Sequence, residues 1–99
     1  MIGVNYLSHF YLAELLINEL IKSKGRIVVL SSEAHTFVKV KPNIKEYFYV
    51  DEKKSGFSDS FQTYCVSKLF NIYQTSTLHK KYNDKGVIVN SLHPGKLIF

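Results

Sequence analysis

The sequence predicts an α/β fold with a parallel sheet, in the order helix, strand, helix, strand. Two short β-branched runs, 26–32 and 87–92, predict strands, and two longer segments with apolar residues at helical spacing, 1–23 and 61–82, predict helices. A strand, a helix and a second strand in succession favour parallel pairing through a right-handed crossover. Both predicted strands therefore end at the same edge of the sheet.

The size and composition indicate one small globular domain. The chain has 99 residues, of which 45% are hydrophobic, and a formal net charge of +5. Its basic residues are scattered and are not interleaved with base-stacking aromatic residues, so we expect no nucleic-acid partner. No apolar run approaches the roughly 20 residues of a membrane span, so we expect no membrane segment. The single cysteine and the lack of a signal-peptide pattern favour a cytoplasmic or other intracellular location.

The first predicted helix, 1–23, has an apolar arc that is too wide for packing on one surface. Two interpretations stay open: the helix is buried on two sides, or it packs on a sheet and also contacts a partner. Gly25 follows the helix and is expected to occupy the glycine position that ends many helices.

Both predicted strands contain unbroken apolar runs, which are typical of strands buried on both faces of a parallel sheet. Ser31 and Ser32 end the first strand, and His93-Pro94-Gly95 follows the second. Ligands of open α/β sheets bind beyond the carboxyl ends of the strands. These two segments are therefore placed where chemistry is expected, although each is also compatible with a simple turn.

The second predicted helix, 61–82, is preceded by a long irregular region. Residues 33–60 are expected to be loop-like, with a short helical turn around 44–50. Ser58 or Ser60 is expected to cap the start of the helix, and the segment 83–86 is expected to end it.

Tyr64 and Lys68 lie four residues apart on this helix and so share one face. A nearby ammonium favours the phenolate and lowers the pKa of a tyrosine, which makes the pair a candidate acid/base device. A second pair with this spacing, Tyr49 and Lys53, lies in the irregular region, and we assign it no catalytic role. Cys65, between Tyr64 and Lys68, is interpreted as a core or half-buried thiol.

Four signals follow one another along almost the whole chain: Asn5 within Val-Asn-Tyr-Leu-Ser-His-Phe, Ser32 after a strand, Tyr64-x-x-x-Lys68, and His93-Pro94-Gly95. In this order they resemble the short-chain dehydrogenase/reductase family, over residues 2–98. Within that family the chain is most similar to the retinol-dehydrogenase-like branch. The resemblance implies a Rossmann-like fold, with a doubly wound parallel sheet of which this chain forms a part.

The resemblance implies a catalytic role for four residues. Tyr64 would be the acid/base that exchanges a proton with the substrate oxygen, and Lys68 would lower the pKa of that tyrosine. Ser32 would hydrogen-bond the substrate oxygen, and Asn5 would hold a water molecule of the proton relay. The substrate implied is a small lipophilic alcohol or carbonyl compound, similar to a retinoid or a steroid.

The resemblance also implies a nicotinamide cofactor, NAD or NADP. Tyr64 and Lys68 would contact it, with Lys68 binding the ribose hydroxyls, and Pro94 and Gly95 would line the nicotinamide pocket. The sequence contains no Gly-x-x-x-Gly-x-Gly turn for the pyrophosphate. We therefore interpret residues 1–99 as a partial domain that lacks the N-terminal dinucleotide-binding half and the C-terminal substrate lobe. By itself the chain is expected to bind cofactor weakly or not at all, with no useful turnover.

An alternative hypothesis is a non-catalytic, truncated protein that acts by association, for example as a homo-oligomer through helices 5–23 and 61–82. In the family, both long helices lie on one face of these strands, which here would leave the other face and one edge bare. We therefore expect marginal stability or self-association. A basic binding module is a third hypothesis, and it rests on net charge alone.

Overall fold

The computed structural model describes residues 2–39, 45 and 56–95, and it has the predicted order of helices and strands. A π-helical turn, Gly3–Leu7, leads into helix α1, Ser8–Ser23, which is followed by strand β1, Arg26–Leu30. Helix α2, Phe57–Tyr82, precedes strand β2, Ile88–Leu92. Two 3-10 turns, Glu33–Phe37 and Asn83–Lys85, flank α2. The turn predicted around 44–50 lies outside the described residues, except for residue 45.

The end of α1 differs from the prediction. Lys24, and not Gly25, is the left-handed residue, with φ of 51°. Gly25 lies close to that helix, because a Cβ atom there would lie 2.8 Å from Cδ2 of Leu20 and the leucine side chain would have to move. The N–H of Gly25 donates to the carbonyl oxygen of Leu20 at 2.8 Å, and this bond pulls the chain against the last turn of the helix.

The start of α2 also differs. The helix begins at Phe57, about one turn earlier than predicted, and Gly56 occupies the N-cap without a side-chain cap bond. Ser58 and Ser60 lie inside the helix, so neither of them caps it. The end was predicted correctly, since a 3-10 turn and a left-handed Gly86 follow Tyr82.

The two strands pair in parallel, with Arg26 beside Ile88 and Leu30 beside Leu92. The prediction that they are buried on both faces is wrong for this chain. Val29 is buried on one face, whereas Val28 on the opposite face is 57% exposed. Both helices pack on the Val29 face. Among the described residues, no further layer covers the opposite face. The expectation of a bare sheet face is thus confirmed.

The main core lies between the Val29 face of the sheet and the two helices. Side chains from all four elements form it: Ala13, Val29, Leu78, Tyr82, Val87 and Val89. A smaller cluster of Ile2, Val66 and Phe70 joins the start of the chain to α2. Only part of the wide apolar arc of α1 enters the core. Much of the remainder is exposed: Tyr11, Leu12, Leu15 and Leu16, as is Leu7 in the preceding π-helical turn.

Candidate active site at the carboxyl edge of the sheet

The parallel register brings the ends of β1 and β2 to one edge. The N–H of Ser31 donates to the carbonyl oxygen of Leu92 at 2.9 Å, which extends the ladder by one bond beyond β1. Ser32 follows at this edge, and Pro94 and Gly95 follow β2 at the same edge. The sequence prediction that both polar segments leave the sheet at one edge is therefore confirmed.

Helix α2 is held against this edge by two hydrogen bonds that involve Lys68. The hydroxyl of Ser31 donates to the backbone carbonyl oxygen of Lys68 at 2.9 Å. The Lys68 ammonium donates in return to the carbonyl oxygen of Leu30 at 3.4 Å. A buried serine thus fixes the middle of α2 to the last residue of β1.

Tyr64 and Lys68 share one face of α2, as their spacing predicts. Both side chains are half-buried. The Nζ atom of Lys68 lies 5.7 Å from the centroid of the Tyr64 ring, which is within cation–π distance. The pair therefore combines a phenol with a fixed positive charge next to the sheet edge. The competing pair, Tyr49 and Lys53, lies outside the described residues.

The two serines after β1 have different surroundings. Ser31 is buried, and its hydroxyl is used in the bond to α2. Ser32 is half-buried and caps the 3-10 turn, because its Oγ accepts from the N–H of Ala34 at 3.2 Å. A hydroxyl that accepts in this way keeps its own proton for donation. The arrangement leaves Ser32, and not Ser31, able to donate a hydrogen bond to a ligand.

Asn5 is connected to the Tyr64 turn through Ser67, a residue that the sequence analysis did not single out. The side-chain amide of Asn5 donates to Oγ of Ser67 at 3.2 Å, and the Ser67 hydroxyl donates to the backbone carbonyl oxygen of Tyr64 at 2.6 Å. Asn5 lies in the π-helical turn before α1. Such turns are frequent at functional sites.

Pro94 and Gly95 are exposed after β2, and Gly95 has φ of 85°, which favours glycine. They lie at the same edge of the sheet as Ser32. Among the described residues, no hydrogen bond or ring contact joins either of them to Tyr64, Lys68 or Ser32. No hydrogen bond within the described residues joins Asn5 or Ser32 to the Tyr64 phenol either.

A buried polar stripe on α2 was missed at the sequence level. Ser67, Asn71 and Gln74 are each at most 2% exposed, and the side-chain amide of Asn71 donates to the carbonyl oxygen of Leu30 at 3.2 Å. With Tyr64, these residues recur three or four positions apart and lie on one helical face. That spacing could have identified the stripe in the sequence. A polar stripe on a helix that packs on a sheet indicates side chains with specific hydrogen-bond partners.

Cys65 is completely buried, which confirms its interpretation as a core thiol. Burial raises the pKa of Cys65 above its ordinary value. In the part of the chain that the structure describes, no group of three His, Cys, Asp or Glu side chains is arranged to hold a metal ion. None of the described helices is long and apolar enough to cross a membrane.

Comparison with known proteins identifies the class to which the chain is related. The chain is 36% identical to the WW domain-containing oxidoreductase of Gallus gallus over 97% of its residues, and 39% identical to retinol dehydrogenase 11 of Mus musculus over 95%. The resemblance to the short-chain dehydrogenase/reductase family is thus confirmed, and the chain is a homologue of these oxidoreductases. It spans about a quarter of the length of these relatives, 24% and 28%. No family model and no solved structure matches the chain.

Proposed function

We propose that this chain carries the proton-transfer residues of an NAD(P)-dependent oxidoreductase that interconverts a small lipophilic alcohol and its carbonyl compound. The observation that supports it is the half-buried Tyr64–Lys68 pair, held by Ser31 at the carboxyl edge of a parallel sheet. The names of the relatives, an oxidoreductase and a retinol dehydrogenase, support the reaction class.

In this proposal Tyr64 holds or releases the proton of the substrate oxygen. Negative charge that develops on the phenol oxygen is stabilised by the ammonium of Lys68, 5.7 Å from the ring centroid. Ser32 donates its hydroxyl proton to the substrate oxygen and so orients it beside Tyr64. Asn5 fixes the backbone of the Tyr64 turn through Ser67, and it holds a water molecule that exchanges protons with bulk solvent.

The donor set fits the nicotinamide–ribose half of NAD or NADP. When bound, the nicotinamide supplies or accepts the hydride. Lys68 has donors of the kind that ribose hydroxyls need, and Pro94 and Gly95 offer an exposed loop at the same edge. The sequence has no glycine-rich turn for the pyrophosphate. We therefore propose weak cofactor binding and no useful turnover for the 99-residue chain alone.

The test is a chimera in which residues 2–95 replace the matching segment of mouse retinol dehydrogenase 11. We expect retinol oxidation with NAD or NADP, and we expect Tyr64→Phe to lower kcat by about 100-fold to 10,000-fold, the usual effect of removing a general acid/base. Lys68→Met should lower kcat and weaken cofactor binding together.

The matched control is Tyr73→Phe, which removes a phenol hydroxyl from an exposed tyrosine of the same helix. It should leave turnover unchanged. A chimera with equal activity in the Tyr64→Phe and Tyr73→Phe forms would rule out the proposed role of Tyr64. Turnover by the unfused chain would contradict the proposal that it is inactive alone.

A second candidate function is association through the helices. It is favoured by the exposed apolar side chains of α1, among them Tyr11 at 65% and Leu15 at 61%. Sedimentation of the chain with Tyr11→Ser and Leu15→Ser substitutions distinguishes the two functions. A dimer that the pair of substitutions dissociates would support association, and a monomer in both forms would contradict it.

A further inference from the structure

Ser32 is held by the 3-10 turn that follows it at two atoms. Its Oγ accepts from the N–H of Ala34 at 3.2 Å, and its carbonyl oxygen accepts from the N–H of His35 at 3.2 Å. The Nδ1 atom of His35 lies within hydrogen-bond distance of the same carbonyl oxygen, and because a carbonyl oxygen can only accept, this ring nitrogen carries the proton. Ser32 is therefore fixed to the turn Glu33–Phe37, and the position of the turn decides where the Ser32 hydroxyl lies.

The far end of this turn is bound to α2 by the side chain of Gln62. The Nε2 atom of Gln62 donates to the carbonyl oxygen of Phe37 at 3.0 Å, and its Oε1 atom accepts from the N–H of Lys39 at 3.1 Å. A glutamine amide has a donor and an acceptor, as a peptide group has, so it can pair with both backbone groups at once. We call this pair of hydrogen bonds the Gln62 clamp.

The Gln62 clamp lies two residues before Tyr64 on the same helix. Apolar contacts position the same segment, since the ring centroid of Phe37 lies 6.4 Å from that of Phe61, and Val38 packs against the smaller core cluster. Neighbouring residues of a helix have a fixed spacing, so a segment bound at Gln62 has a fixed position relative to the backbone of Tyr64. The clamp thus connects the 3-10 turn with the helical turn that carries the candidate acid/base.

The hydrogen bond from Ser31 to Lys68 does not replace this connection. It fixes α2 where β1 ends, whereas Ser32 begins a turn that leaves the sheet there. In the proposed function, Ser32 and Tyr64 bind one substrate oxygen together, and a displacement of about 1 Å between such groups can lower the rate by about 100-fold. The distance between the two hydroxyls therefore depends on how the turn is bound to α2, and Gln62 supplies two of those hydrogen bonds.

We propose that Gln62 is a positioning residue of the candidate active site, which holds the turn of Ser32 against α2 so that Ser32 and Tyr64 bind the same substrate oxygen. Both ends of the Gln62 amide are bonded to backbone groups, so the residue acts through Ser32 and not on the substrate. This inference rests on the proposed function, but the clamp can also be measured without turnover.

The clamp is tested by amide hydrogen exchange, measured by NMR on the full 99-residue chain. Gln62→Met keeps the length of the side chain and removes both hydrogen bonds. It should accelerate exchange about threefold to tenfold at Lys39 and also at Ala34, whose N–H is bonded to Ser32. Exchange at Leu78, which is fully buried in the core, should stay unchanged.

Three outcomes of the exchange measurement would overturn the proposal. Unchanged exchange at Lys39 would mean that the clamp does not hold the segment. Acceleration at Lys39 alone, with Ala34 unchanged, would mean that the clamp does not reach the turn of Ser32. Equal acceleration at Leu78 would mean that Gln62 supports the whole fold and not this turn.

The positioning role is tested by kinetics in the chimera with mouse retinol dehydrogenase 11. Gln62→Met should lower kcat by about tenfold and leave the KM for the cofactor unchanged, because Ser32 binds the substrate oxygen in the proposed function. Thr77→Met is the matched control, since it introduces the same side chain at an exposed position of the same helix, and it should change neither constant. Unchanged kcat in Gln62→Met would overturn the proposal.

A double-mutant cycle separates positioning from a purely structural role. If Gln62 acts through Ser32, Gln62→Met should have little effect on kcat once Ser32→Ala is present. A residue that only stabilises the chain would lower kcat by the same factor in both backgrounds, and that result would overturn the proposal. Full turnover of both Ser32→Ala and Tyr64→Phe would instead reject the proposed function, and the positioning role with it.

Discussion

The hydroxyl of Ser31 donates a hydrogen bond of 2.9 Å to the backbone carbonyl oxygen of Lys68. It joins residues 37 positions apart, the residue that follows β1 and the last residue of the candidate catalytic turn of α2. The return bond, from the Lys68 ammonium to Leu30, fixes the charged end of the same residue. The position of the acid/base pair therefore depends on a serine that is not available for the chemistry itself.

Ser31→Ala should lower the free energy of unfolding by about 1 kcal/mol, the typical net contribution of one hydrogen bond. Urea denaturation monitored by circular dichroism measures it. Ser8→Ala is the matched control, because the Ser8 hydroxyl is exposed and bonds only to the carbonyl oxygen of Val4, in the π-helical turn just before α1. Equal midpoints for the two variants would show that the tie between β1 and α2 does not contribute to stability.

Ser32→Ala should give the opposite pattern to Ser31→Ala in the retinol dehydrogenase chimera. The Ser32 hydroxyl caps only a short 3-10 turn, so its loss should change stability little. As the proposed donor to the substrate oxygen, it should lower kcat by about 100-fold, comparable with the loss of an oxyanion-stabilising donor. Steady-state rates and denaturation midpoints of both variants check this. Similar kcat losses in both would contradict the division of roles between the two serines.

Periodicity predicted the elements and their order, and the carboxyl-edge rule predicted where Ser32 and Pro94 lie. The prediction of strands buried on both faces was wrong because an apolar run indicates only what a strand can bury. Val28 and Ile88 lack a covering layer in this structure, although their sequence fits one. The sequence also could not predict the partners of buried polar groups. Ser31 bonds to α2 and Asn71 bonds to β1, and both bonds depend on the tertiary arrangement.

Helix ends were the least predictable parts of the fold. Gly25 was expected in the left-handed position, yet Lys24 adopts it, and Gly25 follows where the backbone passes close to the Leu20 side chain. The sequence pattern favours glycine in this position, so it did not predict that the helix would end with a left-handed lysine one residue earlier.

The contact between the middle of α1 and the end of α2 should depend on pH. The Tyr82 hydroxyl donates to Oε2 of Glu14 at 2.9 Å, and the Lys81 ammonium lies 3.4 Å from Oε1 of the same residue. The side chains of Tyr82 and then Glu14 raise the pKa of Lys81 above its ordinary value. The charged lysine therefore stabilises the fold fully below its ordinary pKa, and this stabilisation is lost as the pH rises through the raised value.

Lys81→Gln should accordingly be less stable than the wild type near neutral pH, and the difference should disappear in strongly alkaline solution. Because Lys81 is exposed, salt should reduce the difference as well. Lys80→Gln is the control, since its side chain is an exposed neighbour without a described ion pair. Urea midpoints of both variants, measured across the alkaline range, test this. If Lys81→Gln and Lys80→Gln gave the same dependence of midpoint on pH, the assignment would be contradicted.

Cys65 provides a probe of the integrity of α2. It is completely buried, and burial raises the pKa of its thiol above the ordinary value, so the folded chain should react slowly with a thiol reagent at neutral pH. The unfolded chain ionises this thiol at lower pH, so the stabilisation due to Cys65 is complete below its ordinary pKa and is lost as the pH rises through the raised value.

Labelling of the buried Cys65 thiol with dithiobis(nitrobenzoate) should follow opening of the helix and accelerate when urea unfolds the chain. A substitution that weakens the packing of α2 on β1, such as Ser31→Ala, should raise the labelling rate if opening is global, by about fivefold for a loss of about 1 kcal/mol, because the rate follows the opening equilibrium constant. A rate equal to that of a free thiol in the native chain would mean that Cys65 is accessible and that the packing of α2 against the sheet is not as described.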